Sequence, residues 1–168
     1  MTPAIEFTSV PPWAVAPRCA PADVSGRYWT VVAFVGGESI ASEWVAQLES
    51  RPGASPRVHL VCDDDVATGA VDADVATARV GWRLMIAGPA DACLRLRAHA
   101  LGIGIGDDEI TVASTDVTAK DVHCAHCRAV THDAVPLGGV VACHGCGRRL
   151  AVQAHVSRRI GAHLGVLA

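Results

Sequence analysis

YWTVVAFV, residues 28–35, is an unbroken β-branched and aromatic run followed at once by Gly36-Gly37. Such a run marks a strand buried on both faces. Beyond the glycines, Ser39 is placed to cap a helix in which Ile40, Trp44, Val45 and Leu48 share one face. Pro52-Gly53 ends that helix. RVHLVC, residues 57–62, reads as a second buried strand, and Asp63, Asp64 and Asp65 then open an irregular, Ala-rich stretch to Arg79 with room for one short helix. WRLMIA, residues 82–87, is a third strand. Gly88-Pro89 leads from it into a helix carrying Cys93, Leu94, Leu96, Ala100 and Leu101, closed by Gly102. EITVA, residues 109–113, is a fourth strand. Strands alternating with helices predict an α/β fold, a small parallel sheet with crossover helices. A stretch of about 85 residues has room for roughly four strands.

Working outward, residues 1–27 contain Pro3, Pro11, Pro12, Pro17 and Pro21. Proline removes backbone donors and resists regular structure, so an extended arm is expected. Trp13 anchors it either on another surface or on its own domain. On the other side, 114–121 is polar without periodicity, and from His123 the composition turns to Cys, His, Gly and Arg. The expected organisation is an arm at 1–27, an α/β domain at 28–118 and a small module at 119–168.

That module contains CAHC and CHGC, a C-x2-C-x15-C-x2-C spacing formed by Cys124, Cys127, Cys143 and Cys146. Each C-x-x-C turn sets two thiolates on one side of a tight loop, and the excursion between lets two such loops close a tetrahedron around one metal ion. Pro136, Gly138 and Gly139 lie at the centre of the excursion, and Ala129-Val130 and Val140-Val141 are placed to pair as a hairpin. Gly147 follows Cys146 and lets backbone N–H groups turn toward the sulfurs. Four sulfurs suit zinc or mononuclear iron, and they leave no coordination position open for catalysis. His126 and His144 sit inside the knuckles; either could replace a cysteine as ligand, but they read rather as exposed or supporting groups. Cys62 and Cys93 lie in apolar segments and read as small core residues, and no nucleophile with a base partner is found. No catalytic residue and no organic cofactor site is therefore assigned to this chain.

Charge is split along the chain. Residues 1–120 hold 9 Lys+Arg against 15 Asp+Glu, a net of −6, and residues 121–168 hold 5 Arg against 2 Asp, a net of +3. Five arginines make a sparse nucleic-acid footprint, and a docking face for an acidic protein fits as well. No apolar run of 18 residues exists, so no membrane span is expected. Met1 to Val10 contains Glu6 and no basic start, unlike a secretory signal. A cytoplasmic location is expected, where paired cysteines read as metal ligands before disulfides.

Two resemblances follow from these residues. VAFVGGESIASEWVAQL and LMIAGPADACLRLRAHALGIGIGDDEI resemble, in order, the glycine turn and the closing strand–helix–strand of a ferredoxin-reductase NAD-binding domain. The resemblance implies the fold. It does not carry the nucleotide site, because Glu38 directly after Gly36-Gly37 would repel a pyrophosphate and Ala87 stands where that family has a cysteine. HCAHCRAVTHDAVPLGGVVACHGCGRRL, with HVSRRIGAHLG after it, resembles the small subunit of haem-dependent dimethylamine monooxygenase. That resemblance implies an accessory subunit, without haem or flavin, of an enzyme that demethylates dimethylamine to methylamine and formaldehyde with NADPH and O2. Haem, flavin and NADPH would then sit on partners, a haem-bearing subunit and a flavin/iron–sulfur reductase subunit. His155, Ser157, Arg158 and Arg159 are candidates for an assembly surface, or a solvated basic helix. Alternatives from the residues alone are a free-standing zinc-ribbon nucleic-acid binder and a rubredoxin-like electron carrier.

Overall fold

The computed structural model describes residues 8–168. Four strands, β1 (Tyr28–Phe34), β2 (Arg57–Val61), β3 (Trp82–Gly88) and β4 (Ile110–Ser114), form a wholly parallel sheet in the order β2-β1-β3-β4. Three helices cross between them, α1 (Glu38–Glu49), α2 (Asp64–Val75) and α3 (Ala90–Gly102). Alternation along β1 sorts the core. Trp29, Val31 and Ala33 pack with Ala41, Trp44 and Leu48 of α1, while Val32 and Phe34 pack with Val71 of α2 and Cys93 and Leu96 of α3. A helix layer thus covers each face, which is why the strands read as continuous apolar runs.

Two local expectations are corrected. Helix α1 starts at Glu38 with Gly37 before it and no side-chain cap, so Ser39 lies inside the first turn. The stretch after Asp63 is a full 12-residue helix. Asp63 caps it by accepting the Val66 N–H at 2.8 Å, and Asp64 and Asp65 sit in the first turn where the helix dipole favours them. Only Ala67, Val71 and Asp74 of α2 are buried, so its apolar face is too narrow to show as periodicity.

The arm packs on its own protein. Pro12–Ala14 forms a 3-10 turn, and Val10 and Ala14 are buried with Ala90 and Leu94 of α3, with Trp13 packed alongside. Arg18 bridges to Ser114 at the end of β4. The expectation for the first seven residues, Pro3 included, lies outside the described residues.

After Ser114 the chain enters a second sheet, built from β5 (Ala119–Cys124), β6 (Val130–Ala134), β7 (Val140–Ala142), β8 (Arg149–Ser157) and β9 (Ala162–Leu167) in the order β6-β5-β9-β8-β7. Strands β5 and β9 run parallel, and the other neighbours are antiparallel. The expected hairpin between Ala129-Val130 and Val140-Val141 does not form: β6 pairs with β5 and β7 with β8, at opposite edges of the sheet. The HVSRR stretch is not helical either. It ends β8 and enters a tight turn to β9, where Gly161 has φ +72° and a side chain would meet the Leu94 carbonyl oxygen of α3 at 2.5 Å. Helix α3 therefore lies between the two sheets. Among the described residues, no helix is long and apolar enough to cross a membrane.

Candidate metal centre

The four cysteines of the two knuckles come together. Their sulfurs all lie within 4.8 Å of one another, with Cys124 and Cys146 at 3.9 Å and Cys127 and Cys143 at 3.5 Å. A metal ion with bonds of ~2.3 Å to four tetrahedral sulfurs sets them about 3.8 Å apart. The donor set and the spacing therefore both fit a tetrahedral thiolate ion, and the group could hold one. Cys124 and Cys143 are buried, Cys146 is half-buried and Cys127 is exposed.

Local backbone rules build the two halves alike. The N–H of Arg128 donates to the Cys124 carbonyl at 2.9 Å, and the N–H of Gly147 donates to the Cys143 carbonyl at 2.8 Å. In turn the N–H of Cys124 donates to Ala129 at 2.9 Å and that of Cys143 to Arg148 at 2.8 Å. The residue after each second cysteine is left-handed, Arg128 at φ +66° and Gly147 at +72°. Glycine adopts this freely and arginine at some cost. Gly147 thus shapes the knuckle, while the N–H groups aimed at sulfur belong to other residues. Those of Cys146 and Gly145 hold the Cys143 thiol down to about 6. The N–H groups of Cys127 and His126 hold Cys124 below the ordinary thiol value. The Cys127 thiol accepts from the Ala129 N–H, yet desolvation and the neighbouring Cys143, Cys146 and Cys124 sulfurs push it up to about 12. A cluster that favours thiolate at two positions and resists it at a third is one that a cation would complete.

The remaining candidates fall as follows. His126 and His144 are exposed and outside the sulfur cluster. Cys93 is buried in the core, its thiol pushed up by desolvation, but Cys62 is exposed at the end of β2, contrary to its reading as a core residue. The Glu38 carboxylate accepts the Gly36 N–H at 2.9 Å, filling the glycine turn with negative charge. Of the HVSRR residues, His155 Nδ1 meets Ser9 Oγ at 2.9 Å and Arg158 donates to Asp107 at 2.9 Å, and both Arg158 and Arg159 are exposed.

A second constellation had no signal in the sequence. Asp91 of α3, Asp121 of β5 and His132 of β6 bring ligand atoms within 4.8 Å of one another. Arg95 already occupies their centre: Nη1 donates to Asp91 at 3.0 Å and to Asp121, and Nε donates to Asp64 at 2.5 Å. The guanidinium takes the place a cation would need, and it ties α3 to the second sheet just before the first knuckle. The residues come from three elements, which is why no spacing announces them.

The fold and the site together define the class: an α/β protein whose parallel sheet is joined to a four-cysteine ribbon. Residues 121–166 match the family model described as "Dimethylamine monooxygenase subunit DmmA-like, C-terminal domain". The chain is also similar to the heme-dependent oxidative N-demethylase delta subunit of Ectopseudomonas mendocina (strain ymp), with 38% identity over 91 residues, 54% of this chain and 51% of that one. The matched region thus spans about half the length of the relative. The resemblance read from the cysteine ribbon is the one these comparisons find: the chain resembles an accessory subunit of a haem-dependent oxidative N-demethylase. No solved structure matches the chain.

Proposed function

We propose that this chain is the non-haem, non-flavin accessory subunit of a multi-subunit amine monooxygenase that demethylates dimethylamine to methylamine and formaldehyde with NADPH and O2. One observation carries the reading: the ribbon that brings four sulfurs together is the segment, residues 121–166, that matches the dimethylamine monooxygenase subunit family. In this reading Cys124, Cys127, Cys143 and Cys146 hold one ion, zinc or iron. A zinc ion would tie the two knuckles to the ribbon's small apolar cluster around Val122, Val141 and Leu150, and an iron ion would add one-electron transfer. Haem, flavin and NADPH belong to the partners, a haem-bearing subunit and a flavin/iron–sulfur reductase.

The parallel sheet is proposed to be a reductase-like NAD-binding domain that has lost its nucleotide site. Glu38 supports this, because its carboxylate holds the Gly36 N–H that a pyrophosphate would need. The unit boundaries proposed are 28–118 for this domain and 119–168 for the ribbon, with assembly in the cytoplasm. The exposed Arg158 and Arg159 on the β8–β9 turn are offered as part of the assembly surface.

The test is affinity purification of the full chain from its native cells, with the eluate examined for haem absorbance and for dimethylamine-dependent NADPH oxidation. Both signals are expected. A chain recovered without any haem protein would overturn the reading. An Arg158→Ala/Arg159→Ala variant that assembles and turns over at the unmodified rate would remove that turn from the assembly surface.

A further inference from the structure

The parallel sheet carries a second concave site, at the end opposite its glycine turn. There the first residues of β1, β2 and β3 frame a cavity of about 420 Å³, a volume typical of small-molecule sites (~300–1,000 Å³). Tyr28 and Trp82 line it together with Arg57 and Arg79.

A buried polar chain supports these side chains. Trp82 Nε1 donates to Thr30 Oγ1 at 3.1 Å, and Thr30 Oγ1 donates to Asp74 at 2.7 Å. Asp74 also accepts from Arg57 Nη1 at 2.8 Å and meets His59 Nε2 at 2.9 Å. Thr30, Asp74 and Trp82 are all buried. Parallel-sheet cores are ordinarily filled by apolar residues, so a buried threonine–aspartate pair at this place is a departure from the usual pattern. A satisfied buried network fixes the groups attached to it, and here those groups are the Trp82 indole and the Arg57 guanidinium. Arg57 spends Nη1 alone, on Asp74 and on Thr77 at 3.1 Å. Its other two nitrogens, and the whole Arg79 guanidinium, have no side-chain or backbone acceptor among the described residues. Arg57 is therefore held by the buried Asp74 with two nitrogens to spare, and Arg79 lines the same cavity, unpaired among the described residues, beside two aromatic rings.

We propose that this cavity binds a planar aromatic ring bearing an anionic group, the anion held by Arg57 and Arg79 and the ring by Tyr28 and Trp82. Guanidinium forks bind carboxylate and phosphate oxygens through paired, charge-assisted hydrogen bonds, and aromatic side chains add stacking or edge contacts to a ring. An anion without a ring would leave the aromatic surface uncovered. An uncharged ring would leave the guanidinium groups unmet. Nucleoside monophosphates and aromatic carboxylates share the required chemistry. The site lies at the amino ends of the strands, whereas open α/β sheets bind ligands at the carboxyl ends. The inference thus rests on these residues and not on the fold.

The test uses the full chain, labelled with ¹⁵N and carrying its metal. Its indole N–H resonances report on Trp82 directly, with Trp82→Phe identifying the peak. Adenosine monophosphate and benzoate are titrated separately, beside inorganic phosphate and adenosine. Saturable movement of the Trp82 indole is expected with at least one of the two planar anions, and whichever binds tighter identifies the source class. Phosphate and adenosine should bind about tenfold more weakly or less, and Arg79→Gln should weaken the planar anion about tenfold. Arg79 is exposed, so this variant leaves the core untouched. Three results would each overturn the proposal: no saturable shift with either planar anion, phosphate alone binding as tightly, or affinity unchanged in Arg79→Gln.

Discussion

Replacing Arg95 with methionine removes the cation from the joint between α3 and β5 while keeping most of the side-chain volume. Three carboxylates lose their partner, and their exposure decides the magnitude. The Asp64 side chain is 43% exposed, so its pair with Arg95 is a surface pair worth under ~1 kcal/mol. The side chains of Asp91 and Asp121 are only 9% and 7% exposed. What remains within ion-pair distance is the exposed His132 ring, at 3.8 Å and 2.9 Å, with the Lys120 ammonium acting on Asp91 from further away. Stranding buried carboxylates costs ~3–5 kcal/mol. Arg95 is itself 31% exposed, and the water that reaches it moves the expectation to the lower end, about 3 kcal/mol. Against a total stability of ~5–15 kcal/mol this is a large loss. The assay is urea unfolding followed by tryptophan fluorescence, with metal content matched between samples. At a slope of ~2 kcal/mol per molar, the midpoint should fall by ~1.5 M. Adding Asp91→Asn and Asp121→Asn to Arg95→Met should restore at least half of the loss, because the stranded charges cause it. A loss below ~1 kcal/mol, or no recovery in the triple variant, would refute the reasoning.

In the proposed reading, Cys143→Ser should carry less than one metal ion per chain by elemental analysis and lose the β7–β8 amide protection first, because a metal ion held by the knuckles would contribute its binding energy to folding. Full occupancy would mean that another group completes the site. Gly161→Ala should cost ~2–4 kcal/mol by thermal unfolding, combining a left-handed backbone with a methyl placed 2.5 Å from the Leu94 carbonyl oxygen. A change below ~0.5 kcal/mol would show that the turn yields without strain. His163 is buried, with Nδ1 unpartnered among the described residues, and burial first, then Lys120, lowers its pKa to about 4. The unfolded chain therefore takes up the proton first as pH falls. Stability is full above ~6.5 and should decline by on the order of 3 kcal/mol between there and about 4. Urea midpoints measured against pH should show this slope, and His163→Phe should flatten it; parallel slopes would assign the titration elsewhere.

Much of this protein was legible from local chemistry. Apart from Thr30, the strand within the run at 28–35 is apolar on both faces because helices cover both faces of its sheet. The two C-x-x-C knuckles were equally plain, since closing a thiolate tetrahedron needs just two tight turns and enough chain between them. The failures share a cause. Helix α2 is longer than the one short helix expected after Asp63, because it buries a narrow face, Ala67, Val71 and Asp74, that leaves little periodicity to read. The hairpin within the excursion failed because strands choose partners by the whole sheet: β9 inserts beside β5, and β6 and β7 end on opposite edges.

Local spacing by itself therefore determined the alternating α/β pattern, the two knuckles whose four cysteines cluster, and the resemblance that names a candidate enzyme complex. Only the tertiary structure decided which strands of the ribbon are neighbours, where Arg95 gathers carboxylates from α2, α3 and β5, and how Arg57, Asp74 and Trp82 meet under one cavity. The physical reason is range. Turns, caps and metal knuckles are closed by residues a few positions apart, whereas buried charges and cavity walls are assembled from segments tens of residues apart. Their proximity exists only once the apolar faces have packed.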